Sequence, residues 1–316
     1  MMIMECVRME RLRILVVGGD SFLGKTLASS LIADGHYVVT TTRRPEEVDG
    51  SKILLDLAIL PTELPTGFDH VILLAGIWNY QACETSADAW LVNVENMSKL
   101  SAQFVEQGSF VTFVSSNTVF GGERPWCHED DDHTPQFAYA KHKAAGEAAI
   151  IEAVTAVKGI QRLNIVRLTK ILSIDTPPLP SWLEDFEQGK VVTPFADLIF
   201  APISVEFAAS GVAKVSLSRE PGNFHLSGSE NINYVEFSRK LAEQFGFPLD
   251  LIEATTSQEK GVSIPFLPKY SGLGMERTQS VLGITPQTIG SVFDDLSKQR
   301  DLGVSNGTNS CFLYSL

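Results

Sequence analysis

The feature that most restricts the fold of this chain is an alternation. Short apolar, β-branched runs take turns with longer stretches patterned at helical period. The runs are Ile14–Val17, Tyr37–Thr41, Ile53–Leu55, Val71–Leu74, Phe110–Ser115 and Ile165–Leu168. Between them lie amphipathic segments such as Leu23–Ala33, ended by Gly35, and Trp90–Gln107, ended by Gly108. Glycine just past a helix adopts the left-handed cap at little steric cost. Strands that are apolar throughout need cover on both faces, which parallel strands joined by crossover helices provide. The expected architecture is therefore α/β, a doubly wound parallel sheet. At 316 residues and 44% hydrophobic content, the chain can bury a substantial core.

The first run leads directly into Gly18-Gly19-Asp20-Ser21-Phe22-Leu23-Gly24 and then a helix. A strand–glycine loop–helix unit lets the backbone approach a pyrophosphate whose charge rests on the helix N-terminus. That setting predicts a Rossmann dinucleotide site. A loop of this kind taken alone is a weak signal, because glycine-rich turns also serve as plain connections. Gly18 and Gly24 occupy the outer positions of a GxxGxxG spacing, and Ser21 stands in the middle, where its Cβ is expected to restrict the backbone. After the second run comes Thr42-Arg43-Arg44, where an NAD-preferring site carries an acid for the ribose 2′-hydroxyl. Guanidinium groups suit a 2′-phosphate, so NADP(H) is favoured and NAD(H) is the alternative. The competing reading makes Arg43 and Arg44 ordinary solvated turn residues. Asp56, followed by Leu57 at the end of the third run, either holds the adenine amino group or caps the next turn.

A second constellation carries the chemistry. The fifth run ends in Ser115-Ser116-Asn117-Thr118-Val119-Phe120-Gly121-Gly122, and Tyr139-Ala140-Lys141-His142-Lys143 follows at the start of a helix. Tyr139 and Lys143 are four residues apart and share a helix face. The ammonium is expected to stabilise the phenolate and lower the tyrosine pKa, while Ser116 polarises a carbonyl. A Tyr-x-x-x-Lys spacing by itself is common; together with the glycine loop and the serine-rich strand end it is specific.

These segments resemble the dTDP-4-dehydrorhamnose reductase family of extended short-chain dehydrogenases/reductases. That family has a Ser-Thr-Asp-Tyr-Val-Phe-x-Gly run, matched by Ser115 to Gly122, and Tyr-Gly-x-Ser-Lys-Leu-Ala-Gly-Glu, matched by Tyr139 to Glu147. The resemblance implies Ser116 as the hydroxyl donor, Tyr139 as acid/base and Lys143 as ribose ligand. It extends to Leu74-Ala75-Gly76 and Asn93 on the coenzyme side, and to Pro202-Ile203-Ser204-Val205 and the Asn223–Gly228 segment. The implied activity is NADPH-dependent reduction of a keto group on a nucleotide-linked deoxysugar, in carbohydrate biosynthesis. The departures are Ser21, His142 before the lysine, Asn117-Thr118 in place of Asp-Tyr, and Lys170 where an aromatic is common. Trp78, Asn79, Tyr80, Asn117, Thr118 and Lys170 are candidate substrate contacts, Lys170 through the diphosphate. Solvated lysine and packed aromatics are the plainer alternatives, and Trp182 is expected to pack in a core.

The domain expectation is a coenzyme domain over 11–169, to which 201–228 returns by a strand at Phe224–Leu226. A smaller C-terminal substrate-binding lobe comprises 170–200, with a helical segment at Trp182–Gln188, and 229–302. Tails at 1–10 and 303–316 are expected to be loosely ordered. Acidic residues outnumber basic ones 38 to 25, a net charge of −13, which argues against nucleic acid as partner. No apolar run reaches bilayer length, and four scattered cysteines fit a reducing cytoplasm. No metal site is expected: Glu129-Asp130-Asp131-Asp132 reads as a solvated loop, and His128, His142 and His225 lack a ligand-spaced set. Dimers are common in the family, so a homodimer is compatible with the resemblance. Two rivals remain: a nucleotide-sugar epimerase with tightly held NAD, and a non-catalytic nucleotide-binding regulatory relative.

Overall fold

The computed structural model describes residues 11–306, with side chains through 302. The expected decapeptide tail and residues 307–316 lie outside the described residues, and the last helix runs on through the predicted start of the second tail to Asn306.

Among the described residues, eleven strands occur in chain order: β1 (Arg13–Val17), β2 (Tyr37–Thr42), β3 (Lys52–Leu54), β4 (His70–Leu73), β5 (Phe110–Ser116), β6 (Leu163–Leu168), β7 (Lys170–Leu172), β8 (Ile199–Phe200), β9 (Pro202–Ser204), β10 (Gly222–Leu226) and β11 (Ile232–Asn233). Seven form one parallel sheet in the order β10-β6-β5-β4-β1-β2-β3. The helices are α1 (Phe22–Ala33), α2 (Tyr80–Thr85), α3 (Ala87–Trp90), α4 (Met97–Glu106), α5 (Ala138–Ala156), α6 (Leu179–Glu187), α7 (Val205–Ser218), α8 (Tyr234–Phe245), α9 (Glu276–Leu282) and α10 (Ile289–Asn306). Every strand predicted from the sequence is present, with ends differing by up to two residues. Among the described residues, no helix is long and apolar enough to cross a membrane.

The two-residue strand period divides the sheet's side chains between two cores. Ile14 and Val16 join Leu27, Leu31, Ala208 and Val212 on the face covered by α1 and α7. Leu15 and Val17 join Leu100, Phe104, Phe113 and Ile150 on the face covered by α4 and α5. Fully buried rings such as Phe104 and Phe113 each contribute about 1.5–3 kcal/mol relative to exposure. A third core gathers Leu172, Leu179, Trp182, Phe200, Phe237 and Phe293. Trp182 thus packs in a core, as expected.

The predicted continuous helix Trp90–Gln107 is interrupted. Leu91–Asn96 is wound as a π-helical stretch between α3 and α4. The wider turn keeps Asn93 buried and directed at the loop after β4, where its Oδ1 accepts from the Ile77 amide at 2.7 Å and its Nδ2 donates to the Ile77 carbonyl at 2.8 Å. Such bulges serve where one side chain must be re-aimed.

Candidate active site

At the carboxyl edge of the sheet, the parallel register sets the ends of β1, β4, β5 and β6 side by side, pairing Val17 with Leu73 and Ser116 with Leu168. Ligands of open α/β sheets bind along this edge.

The glycine loop turns sharply here. Gly18 has φ +98°, and a Cβ there would stand 2.8 Å from the Ala75 amide nitrogen. A Cβ on Gly19 would meet the Thr40 Cβ at 2.4 Å, and one on Gly24 the Gly18 carbonyl oxygen at 2.3 Å. All three positions exclude any side chain, leaving bare backbone at the helix N-terminus, a surface that fits a dinucleotide pyrophosphate. Ser21 does not disturb it. Its φ of −68° is ordinary for any residue, and its hydroxyl caps α1, accepting from the Gly24 amide and donating to the Gly18 carbonyl at 2.7 Å. The restriction expected from its Cβ is absent because the middle loop position is already extended. Phe22 is exposed on the first turn, and Leu23 packs against the first core.

The end of β2 is more crowded than its sequence suggests. The Asp20 carboxylate accepts from Thr42 Oγ1 at 2.7 Å and from Lys52 Nζ at 3.0 Å. Lys52 also reaches Glu47 at 2.8 Å, and Arg44 is paired with the same glutamate. Burial pushes the Asp20 carboxyl up, but the Thr42 hydroxyl, Lys52 and Arg44 outweigh it and hold the group below its ordinary value. Arg43 is exposed and has no side-chain partner among the described residues. Asp56 caps the following turn through the Ala58 amide at 2.9 Å, and buried Leu57 offers its carbonyl to Asn96. Leu74 and Ala75 both donate their amides to the Val17 carbonyl, lining the loop with backbone. A Cβ on Gly76 would come within 3.0 Å of Asn93 Oδ1. Asn93, with both amide groups spent on Ile77, positions this wall from behind.

Helix α5 enters the edge beside β5. Gly146 lets it press against the π-helical stretch, since a Cβ there would lie 2.8 Å from the Asn93 carbonyl oxygen. Tyr139 stands half-buried in the first turn, near the Ser116 hydroxyl. Ser116 Oγ also accepts from the Thr118 amide at 3.2 Å and the Thr118 hydroxyl at 3.0 Å, and its own proton makes only a long bond of 3.3 Å to Asn117 Oδ1. Burial, reinforced by Tyr80 and Cys83, pushes the Tyr139 phenol well above its ordinary value, against a smaller downward pull from Ser116.

That direction corrects the expectation of a lowered tyrosine. Lys143 Nζ does not bear on the phenol; it donates to the Val114 carbonyl at 2.8 Å and sits 4.4 Å from the centre of the Phe113 ring. Its own burial brings it down to about 8, partly offset by Glu147 one turn further along.

Glu147 is itself held by Arg167 at the end of β6, through bonds of 2.7 to 3.2 Å. Arg167 also donates to the Glu129 carbonyl at 2.8 Å and meets His133 and His225, with Phe120 packed against its guanidinium. In the sequence, Glu147 and His225 are marked only by their places in the Tyr139 to Glu147 motif and the Asn223–Gly228 segment, neither of which reveals this network. The acidic run is likewise no plain solvated loop, because Glu129 retains only 5% of its surface. Nor does His128 lack a partner set: Glu129 and Glu276 converge on it.

The substrate candidates divide. Tyr80 packs on the site, 5.0 Å from Phe137 and 6.0 Å from Tyr139 between ring centres, and Phe137 stacks on Phe266. Neither phenylalanine was singled out from sequence, since lone aromatics carry no positional signal. Asn79 caps α2 through the Ala82 amide, and Trp78 is exposed on the preceding loop. Asn117 Nδ2 donates to the Ser271 carbonyl and hydroxyl at 2.8 and 2.9 Å, tying β5 to a segment far along the chain. Lys170 opens β7, which pairs with β9 outside the main sheet. It is exposed, and desolvation by the surrounding protein lowers its ammonium.

The comparisons agree with this picture. Spore coat polysaccharide biosynthesis protein SpsK of Bacillus subtilis (strain 168) is 25% identical over 284 residues, covering 87% of this chain and 93% of its own. Methionine adenosyltransferase 2 subunit beta of Rattus norvegicus is 26% identical over 265 residues, covering 77% and 75%. The structure of dTDP-4-dehydrorhamnose reductase from Bacillus anthracis str. Ames in complex with NADP superposes with a TM-score of 0.75 at 18% identity, covering 93% of this chain and 100% of that one. Residues 12–298 match the family described as RmlD substrate binding domain, and the chain belongs to that family.

Proposed function

We propose that the chain is an NAD(P)-dependent oxidoreductase of the short-chain type, reducing a keto group on a nucleotide-linked sugar. NADPH is the favoured coenzyme and a dTDP-linked keto-deoxyhexose the favoured substrate class. The observation that carries this reading is the meeting, on one sheet edge, of a side-chain-free glycine loop with Ser116 at the end of β5 and Tyr139 in the first turn of α5. Gly18, Gly19 and Gly24 would hold the pyrophosphate, and Lys143 the nicotinamide ribose. Arg43 would meet a 2′-phosphate, because Arg44 and Lys52 are already balanced by Glu47 and Asp20. A bound dihydronicotinamide supplies the hydride. Tyr139 gives the phenolic proton to the carbonyl oxygen, a direction suited to a phenol kept neutral by burial. The long bond from Ser116 to Asn117 leaves the serine proton easily redirected to the same oxygen. Asn117, Thr118, Trp78, Tyr80 and Lys170 would line the sugar and diphosphate side.

A second reading, a nucleotide-binding subunit without turnover, draws on the rat relative, which is named as a subunit of methionine adenosyltransferase. One experiment separates the two. The purified chain is titrated with NADPH and NADH by fluorescence, then assayed for NADPH oxidation with a dTDP-4-keto-6-deoxyhexose. Turnover is expected, tighter binding of NADPH than of NADH, and in Tyr139→Phe a loss of about 10²–10⁴-fold in kcat with coenzyme affinity retained. Turnover should also decline on the alkaline side as Lys143 gives up its proton near about 8. Coenzyme binding with no turnover on any nucleotide keto-sugar would leave the second reading standing, and a fully active Tyr139→Phe would refute the acid/base assignment.

A further inference from the structure

The segment after β5 and the entry to α9 come together at Cys127 and Leu273. Cys127 bridges to Leu273, and the Gly274 amide donates to the Cys127 carbonyl at 3.0 Å. This pairing sets His128 and Glu129 against Glu276 at the start of α9. One ligand atom from each of the three lies within 4.8 Å of the others. His128 Nδ1 is 3.2 Å from Glu276 Oε2, and both side chains reach solvent. Glu129 is different: it is 5% exposed, and its Oε1 has no hydrogen-bond partner. Gly274 contributes by lacking a side chain, since a Cβ there would fall 2.6 Å from the Glu276 carboxylate oxygen and drive it outward.

We propose that His128, Glu129 and Glu276 bind a divalent transition-metal ion of the Zn²⁺ or Mn²⁺ type. A buried carboxylate oxygen without a hydrogen-bond donor is satisfied by a proton or a cation, and the second carboxylate and imidazole nitrogen beside it supply the further ligands a cation needs. One imidazole nitrogen with two carboxylates is a donor set for borderline ions; Mg²⁺ and Ca²⁺ prefer oxygen alone. Ligand atoms around an ion with bonds of about 2.1 Å sit roughly 3.4 Å apart, so the present spacing needs only a small inward movement of two exposed side chains. Three protein ligands leave room for water. The two carboxylates neutralise the ion, and the exposed pair gives it a path of entry.

The ion would staple the loop after β5 to α9. The Glu129 carbonyl is already held by Arg167 and by Asn223 at 3.3 Å, and the Gly274 carbonyl meets His225 Nδ1 at 2.8 Å. The expected consequence is therefore stability of this joint, independent of the oxidoreductase reading.

The test uses the full chain, stripped with EDTA and dialysed, then titrated separately with Zn²⁺, Mn²⁺ and Mg²⁺. Bound metal is measured by equilibrium dialysis and the thermal midpoint by circular dichroism. A single equivalent of Zn²⁺ or Mn²⁺ is expected, raising the midpoint by about 5 °C at a hundredfold excess over Kd. Glu276→Gln and His128→Asn alter exposed side chains and should fold normally, while weakening binding at least about tenfold. Glu129→Gln, which keeps the buried volume, should do the same. No binding, binding of Mg²⁺ alone, or binding that Glu276→Gln and His128→Asn leave unchanged would each overturn the proposal.

Discussion

The loop between β1 and α1 and the first turns of α5 face the same edge of the sheet, yet they are built on different physics. The loop works by what it lacks: neighbouring atoms stand where side chains on Gly18, Gly19 and Gly24 would be, so the chain turns tightly into the helix N-terminus. The helix works by what lies beneath it. Lys143 is buried against Phe113 and the Val114 carbonyl, and Glu147 one turn on is closed inside the Arg167 network. A binding surface made of backbone needs little electrostatic support, because amide dipoles do not ionise. A site made of titratable side chains must have its charges set by partners, and here those partners come from β6, from β10 and from the segment after β5. The loop is local; the helix site is not.

Substitutions at three positions probe this contrast, beginning with the largest effect. Glu147→Gln removes the charge that balances buried Arg167, and should cost about 3 kcal/mol of stability in urea unfolding. Because Glu147 holds Lys143 up against desolvation, the variant should also shift the alkaline limb of the pH–rate profile to lower pH. An unshifted limb would reduce Glu147 to a purely structural anchor. The sign follows for stability as well. Lys143 is lowered in the folded chain, so the unfolded chain holds its proton between about 8 and the ordinary value of 10.5, and this group makes the fold more stable as pH rises through that window.

Gly24→Ala comes next. Its Cβ meets the Gly18 carbonyl rather than a flexible side-chain end, so an overpacking cost of about 2 kcal/mol is expected. NADPH titration should show a parallel loss of affinity, whereas the Lys143 limb should stay where it is. Movement of both would mean the two regions are coupled rather than separate. The smallest effect belongs to Ser21→Ala, which removes the cap of α1 for about 1 kcal/mol, while Ser21→Gly should cost only a few tenths. If Ser21→Gly instead sharply strengthened NADPH binding, the serine would be restraining the loop after all.

Legibility from sequence followed the same divide. The strands of the main sheet could be anticipated because apolar runs and glycine-capped helices are local signals. So could the cradle, whose glycines are steric requirements visible in spacing. Asp56 caps the next turn, one of the two roles its position suggested. Asn93 was marked on the coenzyme side by resemblance, but its amide is spent on the Ile77 backbone, a contact that depends on a π-helical turn no periodicity revealed. Arg43 and Arg44 looked equivalent in sequence. The fold separates them by bringing Glu47 to one and leaving the other free of side-chain partners among the described residues.

By itself the sequence determined the doubly wound sheet and the tight glycine loop, and singled out Ser116, Tyr139 and Lys143 as candidates, because each signal depends on near neighbours or on steric need. Only the tertiary structure decided the charge state of that set and the surroundings of Glu129. Both arise when residues distant in the chain exclude water from an ionisable group, and desolvation acts through space, without regard to sequence order.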